Sequence, residues 1–152
     1  MANLNNLYRQ IIMDHYKNPR NKGLCEKDGY VKCHLKNPSC GDDTIIQAKI
    51  TNGIIEKVRF DGSGCSICCA SSSVMTEVLK GKTIKEAKKI INDFYTLIKD
   101  GEVVDEDELD EAVAFSGVHQ FPARVKCATL AWKAMGTILE GESGERVEED
   151  GK

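Results

Sequence analysis

Hydrophobic positions change their spacing along this 152-residue chain, and each change predicts an element. Leu4, Leu7, Ile11 and Ile12, with His15 on the same stripe, follow helical spacing over residues 3–17, so an amphipathic helix is expected there. Asn18-Pro19 closes it, because the residue before a proline is pushed out of the helical region. Residues 29–35 read as a short strand. Residues 44–50 and 54–60 are rich in β-branched side chains and flank Thr51-Asn52-Gly53. Asn-Gly accepts the positive φ values of a tight turn, so these two segments predict a hairpin. With residues 29–35 they make a three-stranded antiparallel meander.

After Gly62-Ser63-Gly64 the spacing becomes helical. Residues 66–80 begin with small side chains and continue with Val74, Met75, Val78 and Leu79, and Gly81 supplies a stop. Thr83 followed by Glu86 is a capping box, and Ile84, Ala87, Ile90, Ile91, Phe94 and Leu97 form the next stripe up to Asp100-Gly101. Residues 106–115 predict a short helix. Pro122 suits the first turn of a last helix, where its missing N–H is harmless, and that helix runs to about Leu139. From Gly141 onward glycine, serine and charged residues predict a frayed tail. The expected architecture is α+β, a three-stranded antiparallel sheet packed with helices. It forms a single domain over residues 1–140, followed by an acidic, disordered tail at 141–152.

Composition narrows the function classes. A hydrophobic content of 41% suffices for one core at this length, and a net charge of −3 gives no general attraction to nucleic acid. Charge is unevenly placed, however. Residues 1–36 carry seven Lys/Arg against three acids, whereas residues 92–111 carry nine acids and only Lys99. Two solvated faces explain this asymmetry, and a docking surface for a charged partner is the alternative. No apolar run approaches the ~20 residues needed to cross a bilayer. The polar N-terminus lacks the apolar stretch of a signal peptide, so a cytoplasmic location is expected. There a disulfide framework is not expected from seven cysteines, an odd number, and metal binding or thiol chemistry is the default.

Three separated segments each set one cysteine in surroundings suited to metal: Asn37-Pro38-Ser39-Cys40-Gly41-Asp42, Gly62-Ser63-Gly64-Cys65 and Arg124-Val125-Lys126-Cys127. No pair of CxxC knuckles joins them, so Cys40, Asp42, Cys65 and Cys127 can meet on one metal only through the tertiary fold. Cys40 belongs in a tight inter-strand loop, where glycine lets the backbone fold closely round a bound atom. Asp42 follows at the start of a strand. Cys65 opens a helix, where free N–H groups and the dipole favour a thiolate. Cys127 lies in the first turns of the last helix beside Lys126, whose cation is expected to favour a thiolate too. A carboxylate among thiolates points away from a closed structural zinc site, since such sites are mostly thiolate and imidazole.

Each cysteine taken alone is as well explained as a small buried hydrophobe, and that reading suits Cys25 and Cys33 best. Cys65, Cys68 and Cys69 stand at i, i+3 and i+4 and can share a helix face. Cys65-Ser66-Ile67-Cys68 has the spacing of a thioredoxin-like redox pair, but the βαβ context of such a motif is missing. His15 and His34 are more simply packed or hydrogen-bonded than metal-bound.

Taken in order, these segments resemble the U-type iron–sulfur cluster assembly proteins, the family of IscU, the NifU N-terminal domain and SufU. The resemblance runs from about residue 7 to residue 136. It rests on Leu7-Tyr8, Asp14-His15 and Asn18-Pro19-Arg20-Asn21-Lys22-Gly23, on Asn37-Pro38-Ser39-Cys40-Gly41-Asp42, on Gly64-Cys65-Ser66-Ile67 with Ala70-Ser71-Ser72-Ser73, and on Phe121-Pro122-Ala123-Arg124-Val125-Lys126-Cys127-Ala128. Housekeeping IscU proteins place histidine where this chain has Lys126 and carry a Leu-Pro-Pro-Val-Lys motif that is absent here. Those departures, with the extra acidic stretch at roughly 83–115, resemble the SufU branch. Cys68 and Cys69 depart from the family pattern.

The resemblance implies a SufE/NifU-like fold and metal ligation by Cys40, Asp42, Cys65 and Cys127. It implies one of two functions. In the SufU manner, the four residues hold zinc and Cys40 accepts persulfide sulfur from a SufS-like cysteine desulfurase, a zinc-dependent sulfurtransferase activity. A partner histidine would then displace Cys40 from the metal. In the scaffold manner, Cys40, Cys65 and Cys127 hold a nascent iron–sulfur cluster that passes to apo-proteins, with Asp42 keeping it labile. Replacing histidine by Lys126 removes a cluster ligand yet leaves a Cys₃Asp set for zinc, which favours the first. A purely structural zinc module fits least, because the core suffices without metal.

Overall fold

A computed structural model describes residues 2–141 and 144–145. Helix α1 (Ala2–Lys17) leads into β1 (Tyr30–Asn37), β2 (Asp42–Thr51) and β3 (Ile54–Ser63). Helices α2 (Ser66–Leu79), α3 (Ile84–Asp100) and the short α4 (Glu106–Leu109) follow. A 3₁₀ segment (Asp110–Gln120), α5 (Pro122–Leu139) and the two-residue β4 (Gly144–Glu145) complete the order. The expected antiparallel meander is present, with strand order β3-β2-β1-β4. The β2–β3 turn takes the predicted form, with Asn52 at φ 54° and Gly53 at φ 76°.

Register decides what lies near what. Asn37 pairs with Asp42 across the β1–β2 turn, and Asp43 pairs with Ser63 at the end of β3. The loop carrying Cys40 and the glycine-rich segment leading to Cys65 therefore emerge from the same end of the sheet. On one face Cys33, Leu35, Ile46, Ala48, Ile55, Val58 and Phe60 are buried, together with the inward sides of α2 and α5. Helix α3 joins this core from outside. Phe94 stacks on Trp132 of α5 with centroids 3.9 Å apart and rings 10° from parallel, and it meets Phe115 edge-on at 6.2 Å. Both predicted ends of α3 are observed: the Thr83–Glu86 capping box, and Gly101 in the left-handed conformation with its N–H bonded to the Leu97 carbonyl.

The short helix expected over residues 106–115 differs. It stops at Leu109, Asp110 adopts φ 51°, and the chain continues as 3₁₀ turns to Gln120. The reason is visible in the apolar spacing. Leu109, Ala112, Phe115 and Val118 recur every third residue, the 3₁₀ period, and all four are buried.

The frayed tail expected from residue 141 falls largely outside the described residues. Gly144–Glu145 pair in parallel with Cys33–His34 at the β1 edge. Among the described residues no helix is long and apolar enough to cross a membrane.

Candidate metal centre

The end of the sheet, the start of α2 and the second turn of α5 meet at one point. Cys40 sits in the β1–β2 turn, which closes through its own N–H to the Asn37 carbonyl at 3.2 Å. Gly41 next to it has φ 71°, which a residue with a Cβ rarely adopts. Asp42 is the first residue of β2 and only 2% exposed. Cys127 is fully buried. The ligand atoms of Cys40, Asp42 and Cys127 lie within 4.8 Å of one another.

Cys65 is not a member of that triad but is bonded to it twice. Its backbone N–H donates to Asp42 Oδ1 at 3.0 Å, and its sulfur shares a hydrogen bond with the Cys127 thiol. It is also the N-cap of α2, where its Sγ accepts the Cys68 N–H at 3.4 Å. The four residues expected from the sequence thus occupy one neighbourhood, three as a tight triangle and the fourth on its flank.

The thiols divide the protons unequally. The Cys127 hydrogen bond, helped by backbone N–H groups at the start of α2, brings the Cys65 pKa down to about 6 against the opposing effects of burial and Asp42. Cys127 is pushed up, first by that same bond to Cys65, then by burial and by Asp42 and Cys40. The two shifts are opposite in direction, which makes Cys65 the more readily ionised of the pair. The expectation that Lys126 would favour a Cys127 thiolate is corrected here, because three anionic or sulfur neighbours and burial prevail over it.

Two or three thiolates and a carboxylate converging at a partly buried site suit tetrahedral Zn²⁺, whose ligation would displace the thiol protons. Cysteine sulfurs also hold iron–sulfur clusters. Cys40 is partly exposed, and its Sγ lies 3.7 Å from the Ala123 carbonyl and 4.0 Å from Arg124 Nη1. Arg124 escaped the sequence reading, although its place three residues before Cys127 puts both on one helix face. Asn37 escaped it as well. It is buried beside the triad, with Nδ2 directed to both Asp42 and Cys127.

The remaining candidates lie elsewhere. Cys68 turns into the core against Thr44 Oγ1 at 3.3 Å, and burial pushes its thiol up. Cys69 is half-buried with its Sγ 3.7 Å from the Gly64 carbonyl, so the two thiols have different surroundings. Cys33 is core, as expected, while Cys25 is partly exposed, with its backbone N–H and carbonyl both bonded to the Gln47 amide. His15 is buried between Ser73 Oγ at 2.7 Å and Glu111 Oε1 at 2.8 Å. His34 pairs with Asp43. No disulfide joins any of the seven cysteines. Beside the centre, α1, the start of α2 and the 3₁₀ segment enclose a groove of about 570 Å³, which reaches Ile67, Phe121 and Arg124.

Residues 7–128 match the profile of the NifU-like N-terminal domain. The zinc-dependent sulfurtransferase SufU of Bacillus subtilis (strain 168) is 45% identical over 94% of this chain and 96% of its own length. The iron–sulfur cluster assembly scaffold protein IscU of Streptococcus pyogenes serotype M1 is 39% identical over 92% of this chain and 87% of its own. Among solved structures, a putative iron–sulfur cluster assembly scaffold protein for the SUF system from Fervidobacterium islandicum AW-1 superposes with a TM-score of 0.76. It is 33% identical, and the match covers 86% of this chain and 94% of that one.

Proposed function

The chain belongs to the NifU-like N-terminal domain family, and on that footing we propose that it is a zinc-holding sulfur acceptor in iron–sulfur cluster assembly. The observation that carries the reading is the triangle of Cys40, Asp42 and Cys127 within 4.8 Å, with Cys65 hydrogen-bonded on its flank. Cys40, Asp42, Cys65 and Cys127 would hold the metal. Bound zinc keeps such thiols deprotonated and shields them from oxidation.

The chain's own residues assign the rest. Cys40 is the acceptor, because it is partly exposed, lies on a glycine-flanked turn and has the Arg124 guanidinium beside it. Its thiolate attacks the outer sulfur of a persulfide on a cysteine desulfurase. A new S–S bond forms at Cys40 and the enzyme's S–S bond breaks, the electron pair leaving on the enzyme's cysteine as thiolate. The persulfide proton travels with the transferred sulfur. Asp42 and Cys127 are too enclosed to meet a partner first, and Cys65 is fixed as the N-cap of α2 by its N–H bond to Asp42. The adjacent groove, apolar at Ile12, Met13, Ile67 and Phe121, offers a place for the donor's loop. A reducing cytoplasm suits seven cysteines with no disulfide among them.

The likeness to scaffold proteins favours a second reading, in which Cys40, Cys65 and Cys127 hold a nascent cluster for transfer to apo-proteins. Metal analysis and a desulfurase assay separate the two. Sulfur acceptance predicts about one zinc per chain after aerobic purification, with stimulation of a cognate desulfurase that Cys40→Ala abolishes. Stimulation undiminished by Cys40→Ala would refute it. A scaffold predicts a coloured cluster on anaerobic reconstitution that moves to an apo-acceptor.

A further inference from the structure

Asn37 ends β1 and is only 3% exposed, yet its side chain serves no strand or turn. Its Nδ2 lies 3.3 Å from Asp42 Oδ2 and 3.8 Å from Cys127 Sγ, so its N–H donors are directed at ligand atoms on two different elements. Its Oδ1 is buried with no hydrogen-bond partner. An asparagine at the head of a turn ordinarily bonds back to the turn's own backbone. Here the turn closes through the main-chain carbonyl, 3.2 Å from the Cys40 N–H, and the amide points elsewhere. A buried carbonyl without a donor detracts from stability, so folding alone does not explain this side chain.

Its effect on Asp42 is specific. Cys65 N–H takes Oδ1 at 3.0 Å and Asn37 takes Oδ2, so each carboxylate oxygen receives one donor and keeps a lone pair for a metal. Without Asn37 the carboxylate can turn about its Oδ1 bond, and Cys127 loses a donor that also ties α5 to β1. The bond from the amide N–H to the Asp42 carboxylate has a charged acceptor and is stronger than a neutral one.

We propose that Asn37 is a positioning residue of the metal centre: its side-chain amide links Asp42 of β2 to Cys127 of α5 and sets how tightly the metal is held. The inference rests on the zinc reading of those ligands. Removing hydrogen-bond partners of metal ligands weakens binding about 10–100-fold, and that range is expected here.

The test uses the full chain with Asn37→Ala, Asn37→Asp and Asn37→Ser. Zinc affinity is read by competition with a chromophoric chelator, coordination by the ligand-field bands of the cobalt(II)-substituted protein, and folding by melting of the metal-free protein. Asn37→Ala and Asn37→Asp should bind zinc at least ~10-fold more weakly and alter the cobalt bands. Asn37→Ser, which keeps one hydroxyl donor, should recover part of both, and it serves alone if Asn37→Ala does not fold. Unchanged affinity and bands in the variants would overturn the role of Asn37 and leave the metal centre standing. Weaker zinc binding with unchanged cobalt bands and a matching fall in melting temperature would mark a structural residue and also overturn it. A parent chain that takes up neither metal would overturn the zinc reading itself, and this inference with it.

Discussion

The backbone N–H of Cys65 donates to Oδ1 of Asp42 across 3.0 Å, binding the cap of α2 to the first residue of β2. That bond depends on the absence of a side chain at Gly64. A Cβ there would stand 2.5 Å from the same Oδ1 and 3.1 Å from the Asp42 Cα. The Gly-Ser-Gly segment is therefore a clearance for the carboxylate as well as a flexible joint.

Gly64→Ala should consequently displace Asp42 and lower zinc retention by about tenfold, the range seen when a ligand loses its support. Gly62→Ala should act differently, because its Cβ would meet the Asp43 carbonyl oxygen at 1.9 Å and its φ is 125°. Disruption of the β2–β3 pairing should reduce stability by roughly 3 kcal/mol. Urea unfolding and chelator competition, run on both variants, should show metal loss leading in the first and unfolding in the second.

Thiol reactivity of the metal-free protein offers a second measurement. With its pKa brought down to about 6 by the Cys127 hydrogen bond, Cys65 should be mostly thiolate at pH 7. Its alkylation by iodoacetamide, followed by peptide mass spectrometry, should slow as pH falls below about 6 and level off above. Cys127→Ala should move that midpoint upward, because the largest cause of the shift is removed. Cys68, buried and with its thiol pushed up, should resist modification throughout.

His15 separates packing from ligation. Its two ring nitrogens are satisfied by Ser73 and Glu111, which joins α1 to α2 and to the 3₁₀ segment. His15→Ala should destabilise the chain by about 2–3 kcal/mol, a fall of roughly 5–10 °C in melting temperature. Zinc content should stay at the parent level, and a loss of metal in folded protein would contradict the assignment.

Phe94 tests whether the acidic stretch is an appendage. Its ring stacks on Trp132, whose Nε1 donates to Ser71 Oγ at 2.9 Å, so α3 reaches through α5 to α2. Phe94→Ala should lower stability by roughly 3–5 kcal/mol, measured by denaturant unfolding. A change below about 1 kcal/mol would mean that α3 packs on a core that is complete without it.

Most elements were legible because their causes are local. The Thr83–Glu86 box, the Asn52-Gly53 turn and Pro122 at the head of α5 each act over a few residues, and each does in the fold what its spacing predicts. The 3₁₀ run is equally local, written in the three-residue recurrence of Leu109, Ala112, Phe115 and Val118, a spacing that an α-helix over 106–115 does not match. Cys40, Asp42, Cys65 and Cys127 stood out for the same reason: glycines, a strand start and helix starts are features of neighbouring residues.

What the sequence by itself determined is which side chains are offered, and on what local geometry. Only the tertiary structure decided how they share protons and donors. Asn37 and Cys127 are 90 positions apart, and Cys65 meets Cys127 only because α2 and α5 lie together over the same sheet face. Contacts of this kind depend on the packing of whole elements, where a shift of one ångström makes or breaks a hydrogen bond, and no short-range pattern records it. That packing lowered the Cys65 pKa, turned Cys68 into the core and aimed Asn37 at both Asp42 and Cys127.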